Sequence, residues 1–178
     1  MTGATQINVM MIGTRVLTES SAEAQNLCKK SWFGTLRADG RVELSGFEAL
    51  YLAHAERISV QDARGRRIGV DALERRLLGR SRISWVRYVV FADMRKRGYI
   101  VKTALKFGAD FRVYDRGAMP GKDHARWVLY PAHERDSLTW HSFAAKSRVA
   151  HSTRKQLLIA VVDDEGDITY WDAAWRRP

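Results

Sequence analysis

Three side chains in the second half of this 178-residue chain form a set with chemical capacity: Tyr114, His124 and Lys155. A phenol can take up a proton. An imidazole, with an unperturbed pKa of ~6.5, can give one. An ammonium can neutralise charge that develops on phosphorus. Together such groups can cleave RNA without a metal ion. Singly, none of them signifies chemistry. A tyrosine that ends an apolar alternating strand is most often packing, a histidine in a polar loop is most often solvated, and a lysine between helix and strand is usually a surface charge. Their weight comes from three local contexts: GADFRVY (108–114), GKDH (121–124) and RVAHSTRK (148–155).

The elements that must position these residues are readable from period and punctuation. FRVYDR (111–116) has strand alternation and would carry Tyr114. The glycine-rich stretch RGAMPGKDHAR is a polar loop holding His124, and loop tips carry function disproportionately. SLTWHSFAAKSRVAHS (137–152) reads as a helix capped by Asp136 or Ser137, and QLLIAVVD (156–163) as the strand after it, with Lys155 at their junction. YIVKTALKF (99–107), ARWVLYP (125–131) and DITYWDAAW (167–175) complete a sheet. Ahead of it, ISWVRYVVFADMRKRG (83–98) is a long helix with Ile83, Val86, Tyr88, Val90, Phe91 and Met94 on its apolar face, ended by Gly98.

The first part reads as shorter mixed elements. INVMMIG (7–13), TRVLT (14–18) and GRVEL (40–44) are strands. SSAEAQNLCKK (20–30) is a helix with serine at its start and lysine at its end. Ser45-Gly46 opens a helix over 47–58 whose Phe47, Leu50, Tyr51 and His54 share one face, which makes His54 a packing residue. DALERRLLGR (71–80) is another helix, closed near Gly79. A boundary at 79–84 divides the chain into residues 1–80, a mixed α/β domain, and residues 81–178, a helix-flanked sheet. His133 and His141 read as surface positions, and His151, four residues before Lys155, as a structural residue, with bracing of the site as the alternative.

Composition narrows the class. No stretch of 18 or more apolar residues exists, so no helical membrane span is expected. The N-terminus lacks the basic start and apolar core of a signal peptide. A single cysteine, Cys28, allows no internal disulfide. A reducing cytoplasm is the expected location. The net charge is +10, from 30 Lys and Arg against 20 Asp and Glu. Residues 1–80 hold 12 basic and 9 acidic residues, and residues 81–178 hold 18 and 11, so the excess sits with the three candidate residues. An anionic polymer is a natural partner for such a surface, because phosphate contacts release counterions.

The three segments resemble the catalytic domain of archaeal tRNA-splicing endonucleases, most strongly over 97–171 and more weakly in SWFGTL (31–36) and FEALYLAH (47–54). The resemblance implies a small N-terminal domain for assembly and a restriction-endonuclease-like C-terminal catalytic domain, an α+β chain overall. It also implies roles. Tyr114 acts as base on a ribose 2′-hydroxyl, His124 as acid for the leaving 5′-oxygen, and Lys155 stabilises the charged phosphorus. The products carry 2′,3′-cyclic phosphate and 5′-hydroxyl ends, and no metal or cofactor is needed. A phenol in water ionises near pH ~10. The less demanding version therefore has Tyr114 orient the 2′-hydroxyl while the phosphate shares in proton movement.

The substrate so implied is precursor tRNA with a bulge–helix–bulge motif. Arg148, seven residues before Lys155, is placed at a bulged base. The second stacking group comes from the last strand, where the candidates are Tyr170, Trp171 and Trp175. Lys122, Arg116, Arg126 and Arg154 are phosphate contacts. The acidic loop Asp163, Asp164, Glu165, Gly166, Asp167 is in this family a subunit interface that enters a basic cleft of a neighbour. Arg64, Arg66, Arg67, Arg75 and Arg76 supply the opposite sign. The assembly implied is a homotetramer, or a heterotetramer with a non-catalytic paralogue.

Two other classes are weighed against this. A metal-dependent DNA nuclease of related fold needs a carboxylate two residues before a lysine, and neither Asp-x-Lys nor Glu-x-Lys occurs in the chain. A non-catalytic RNA-binding or structural subunit of the same assembly would be expected to lose one of the three residues, and all are present.

Overall fold

The computed structural model describes residues 6–79, 81–104 and 109–176. The chain divides into two compact units, Met1–Ser81 and Arg82–Pro178. Among the described residues each unit holds one five-stranded mixed sheet, and five helices are shared between them. No helix among these residues is long and apolar enough to cross a membrane.

In the first unit the strands are β1 (Ile7–Ile12), β2 (Arg15–Thr18), β3 (Thr35–Leu36), β4 (Val42–Leu44) and β5 (Ile58–Asp62), ordered β3-β4-β2-β1-β5. β1 alternates strictly, with Ile7, Val9 and Met11 buried and Asn8, Met10 and Ile12 exposed. Its sheet therefore has one covered face and one wet face. Helix α1 (Ala22–Lys29) starts where Ser21 accepts a hydrogen bond from Ala24 N at 3.1 Å. Helix α2 (Gly46–His54) starts at a full capping box. There Ser45 Oγ accepts from Glu48 N at 3.3 Å and Glu48 Oε2 from Ser45 N at 2.9 Å. Helix α3 (Val70–Leu78) closes at Gly79, whose φ is +63°.

SWFGTL and FEALYLAH turn out to be one packing unit. Gly34 N donates to Glu48 Oε1 at 2.9 Å, and the Phe33 and Tyr51 rings stack with centroids 5.8 Å apart. Gly34 has φ +68°, and a Cβ there would lie 2.5 Å from Val42 Cγ1 and 2.7 Å from Glu43 O. Only glycine fits. The Glu48 carboxylate is buried and holds both a helix start and this loop. Replacing it by alanine orphans two backbone donors and should lower the stability of the first unit by about 2 kcal/mol. Denaturant unfolding of Glu48→Ala measures this, and a loss below about 0.5 kcal/mol would mean the two hydrogen bonds are not held in solution.

Two expectations fail here. The helix expected over 47–58 stops at His54, and Glu56 takes φ +54°. Ile58 and Val60 then pair with Ile7 and Val9 of β1 as a parallel strand. The distant partner outweighs the helix preference of Ala55, Glu56 and Arg57. His54, the last residue of α2, is exposed instead of packed, with Nδ1 3.0 Å from Leu50 O and Nε2 3.9 Å from Glu74 Oε2.

The second unit opens with helix α4 (Arg82–Lys96), closed by Gly98 at φ +90°, where Gly98 N bonds Arg95 O and Tyr99 N bonds Met94 O. The strands are β6 (Ile100–Thr103), β7 (Phe111–Tyr114), β8 (Trp127–His133), β9 (Gln156–Val162) and β10 (Ile168–Ala173), ordered β10-β9-β8-β7-β6. β8 and β9 are parallel and joined by helix α5 (Trp140–Ser152); the other neighbours are antiparallel. The strand expected over 99–107 ends at Thr103; residues 105–108, including Gly108 of GADFRVY, and the Ile83 side chain lie outside the described residues.

α4 and α5 cover opposite faces of this sheet. Phe91 of α4 meets Phe111 with ring centroids 6.0 Å apart. Phe143 and Ala150 of α5 pack with Val128, Tyr130, Leu157 and Ile159. β8 is central, so its run Trp127, Val128, Leu129, Tyr130 is buried on both faces. The cap of α5 is Thr139, which accepts from Ser142 N at 3.2 Å, and not Asp136 or Ser137. Asp136 instead accepts from His133 N at 2.9 Å and closes the turn after β8. His133 is the second histidine to depart from expectation: it is 3% exposed, its Nδ1 accepts from Arg135 N, and its Nε2 lies 3.1 Å from Asp164 Oδ1.

Candidate active site

Strand register decides which residues share an end of the second sheet. Val113 of β7 pairs with Trp127 of β8, and Trp127 pairs with Gln156 of β9. One residue further out, the antiparallel and parallel ladders bring Tyr114, Arg126 and Lys155 side by side. The backbone bonds Arg126 N to Val113 O and Gln156 N to Arg126 O, both 2.9 Å, hold that step. Neighbouring strands lie ~4.8 Å apart, so the Tyr114 and Lys155 backbones are separated by roughly 10 Å. His124 precedes Arg126 by two residues, within roughly 7 Å of chain.

Tyr114 ends β7 and is buried at 5% exposure, on the α5 face of the sheet. The Arg112 guanidinium, two residues earlier on the same face, sits 5.9 Å from its ring centroid. Arg112 was not among the sequence candidates. The available signal was a cation inside an otherwise apolar alternation.

His124 is exposed, in a loop with its own scaffold. Met119 N donates to Asp123 Oδ2 at 2.7 Å, and Asp123 N and Lys122 N both bond Met119 O. Gly117 and Gly121 take φ of +78° and +102°. Asp123, immediately before His124, therefore shapes the loop that presents the imidazole. Lys122 and Arg116 are exposed on this loop, the latter with its guanidinium 5.0 Å above the Tyr99 ring.

Lys155 is placed by the end of α5. Thr153 Oγ1 bonds Val149 O at 2.8 Å, Arg154 takes φ +54°, and Lys155 N bonds Ala150 O at 2.8 Å. A left-handed residue that is not glycine is uncommon, and here it swings the chain from helix into β9. The Lys155 ammonium donates to Thr153 O at 2.8 Å. It lines a cavity of about 140 Å³ together with Ser147, His151, Gln156 and Trp175. His151 is at this cavity, its ring 4.6 Å from that of Trp175.

The candidates from the last strand separate by face. Tyr170 pairs with Ala160 and turns to α4, where its hydroxyl donates to Asp93 Oδ2 at 2.7 Å and Arg97 lies 5.8 Å above its ring. Burial, then the Asp93 hydrogen bond, holds this phenol well above its ordinary range. Trp171 pairs with Ile159 on the α5 face and is 62% exposed; Trp175 is 57% exposed. Arg148 is exposed on α5.

The acidic loop is partly self-satisfied. Asp163 Oδ1 accepts from Glu165 N and Asp167 N, and Asp164 pairs with His133 and Arg135. Glu165 and Asp167 are exposed.

A two-unit α/β chain with a tyrosine, a histidine loop and a lysine at one end of its second sheet defines a recognisable class. The model of the tRNA intron endonuclease catalytic C-terminal domain matches residues 84–170, and that of the N-terminal domain matches residues 9–74. A tRNA-splicing endonuclease of Methanothermobacter thermautotrophicus is 38% identical over 168 residues, covering 94% of this chain and 96% of the relative. Those of Thermococcus gammatolerans and Thermococcus kodakarensis are 37% and 34% identical, covering 93% and 92% of this chain and 95% and 94% of the relatives. The chain belongs to the tRNA intron endonuclease family.

Proposed function

We propose that this chain is the catalytic subunit of a tRNA-splicing endonuclease. It cuts precursor tRNA at bulge–helix–bulge junctions by internal transesterification and needs no metal. The observation that carries this reading is the register that puts Tyr114 and Lys155 at one sheet end, with the His124 loop entering the strand between them.

Tyr114 takes the proton of the ribose 2′-hydroxyl, or orients that hydroxyl while a phosphate oxygen takes its proton. The 2′-oxygen bonds to phosphorus, and the bond from phosphorus to the 5′-oxygen breaks. His124 gives that oxygen its proton. Lys155 neutralises the charge on the phosphoryl oxygens between these events. The products are a 2′,3′-cyclic phosphate and a 5′-hydroxyl, and water is not a reactant.

Arg148 stacks on a bulged base, with Trp171 or Trp175 as its partner, since base stacking on rings and guanidinium planes is how splayed RNA is held. Tyr170, committed to Asp93, is the poorer partner. Lys122 contacts phosphate. Residues 1–80 serve assembly and residues 81–178 serve catalysis. The acidic loop docks on a basic surface of a neighbouring subunit in a homotetramer or a heterotetramer; Glu165 and Asp167 face outward, while Asp163 and Asp164 keep the loop in shape.

The test is cleavage of a bulge–helix–bulge RNA in excess EDTA, with product ends mapped. Cyclic phosphate and 5′-hydroxyl ends are the expected result. A 5′-phosphate end, or activity that disappears with the chelator and returns with magnesium, would overturn the mechanism.

A further inference from the structure

The Arg126 guanidinium occupies a place that backbone register alone does not explain. It lies 4.2 Å above the Trp127 ring. Its Nη1 reaches Asp115 Oδ1 at 3.4 Å, and its Nε donates to Gln156 Oε1 at 3.2 Å. Asp115 is the residue after Tyr114, and Gln156 is the residue after Lys155. One planar side chain thus touches the neighbours of both, while its own backbone is hydrogen-bonded to the strand on either side.

We infer that Arg126 is a positioning residue, a bracket that sets the separation of Tyr114 and Lys155, and not the phosphate contact expected for it. The inference rests on the reading of those two as catalytic. The fork geometry matters: a guanidinium holds its donors in one rigid plane and can engage a carboxylate and an amide oxygen at once while seated over an indole, whereas an ammonium is a compact point charge without that fork. Arg126 is half-exposed, so its ion pair adds little to folding. Its leverage is on geometry, where a displacement of about 1 Å between reacting groups is enough to cost up to 10²-fold in rate.

The experiment compares Arg126→Ala, Arg126→Lys, Asp115→Asn and Gln156→Ala, and the double variant Arg126→Ala with Gln156→Ala, in the assembled enzyme. Single-turnover cleavage and RNA affinity are measured across a salt series, and thermal unfolding confirms that each variant is folded. The expected result is a cleavage rate lowered about 10-fold in each Arg126 variant, lysine included, with unchanged RNA affinity and salt slope. The double variant is no slower than the worse single one.

A salt slope reduced by about 1 with an unchanged cleavage rate, rescued by lysine, would make Arg126 a phosphate contact and overturn the inference. Multiplicative losses in the double variant would do the same. Tyr114→Phe and Lys155→Ala run alongside. Wild-type rates in both would sink the catalytic reading itself, whereas crippled rates in both with normal Arg126 variants would sink the bracket alone.

Discussion

Lys155→Ala lowers the single-turnover cleavage rate about 10³-fold and leaves RNA affinity within about threefold of the parent. The ammonium is held at the head of β9 by a tightly specified turn and by its own hydrogen bond to Thr153 O. Alanine keeps the backbone bond from residue 155 to Ala150 O and removes the ammonium together with its hydrogen bond to Thr153 O. On the proposed reading, substrate binding draws on Arg148, the loop cations and the exposed tryptophans, which remain, so the loss is expected in the step in which charge accumulates on phosphorus. Arg154→Ala is the control. It deletes an adjacent exposed cation of the same sign, and less than a tenfold loss is expected from it. Equal losses in the two variants would mean that general positive charge, and not a placed ammonium, carries the effect.

Phe111→Ala should destabilise the second unit by about 4 kcal/mol. Phe111 is 2% exposed, pairs with Thr103 and Leu129 across β7, and packs on Phe91 of α4. It sits three residues before Tyr114 on a four-residue strand. The cavity left by its ring therefore loosens the segment that presents the phenol. Denaturant unfolding gives the free-energy loss, and the cleavage rate should fall at temperatures where the variant is still folded. A loss under about 1 kcal/mol would show that α4 and β7 collapse onto the gap and that this contact does not position the site.

Much of the chain was legible because its signals are local. Ser21, the Ser45–Glu48 box, Gly79 and Gly98 each act within a turn of their own helix, through hydrogen bonds or backbone freedom available to neighbours in sequence. The alternation of β1 and β7, and the polar glycine-rich loop around His124, are of the same kind. The residue types of the candidate site were legible for the same reason, since GKDH and RVAHSTRK are short segments.

What escaped is non-local. The end of α2 follows from β5 pairing with β1, whose partner residues lie 51 positions away in sequence. The burial of His133 depends on Asp164, thirty-one residues on, and on the β8–β9 register that carries it there. That Tyr170 faces Asp93 while Trp171 faces the opposite side is a matter of strand parity against β9. Arg126, read from sequence as one basic residue among several, becomes a link between two strand ends only once three strands are in register. The sequence by itself determined the starts of α1 and α2 and the stops of α3 and α4, which strands are amphipathic, and which groups can do acid–base chemistry. Only the tertiary structure decided which of those groups meet, because a strand's partners and a side chain's face depend on pairing between segments that know nothing of each other until the sheet has formed.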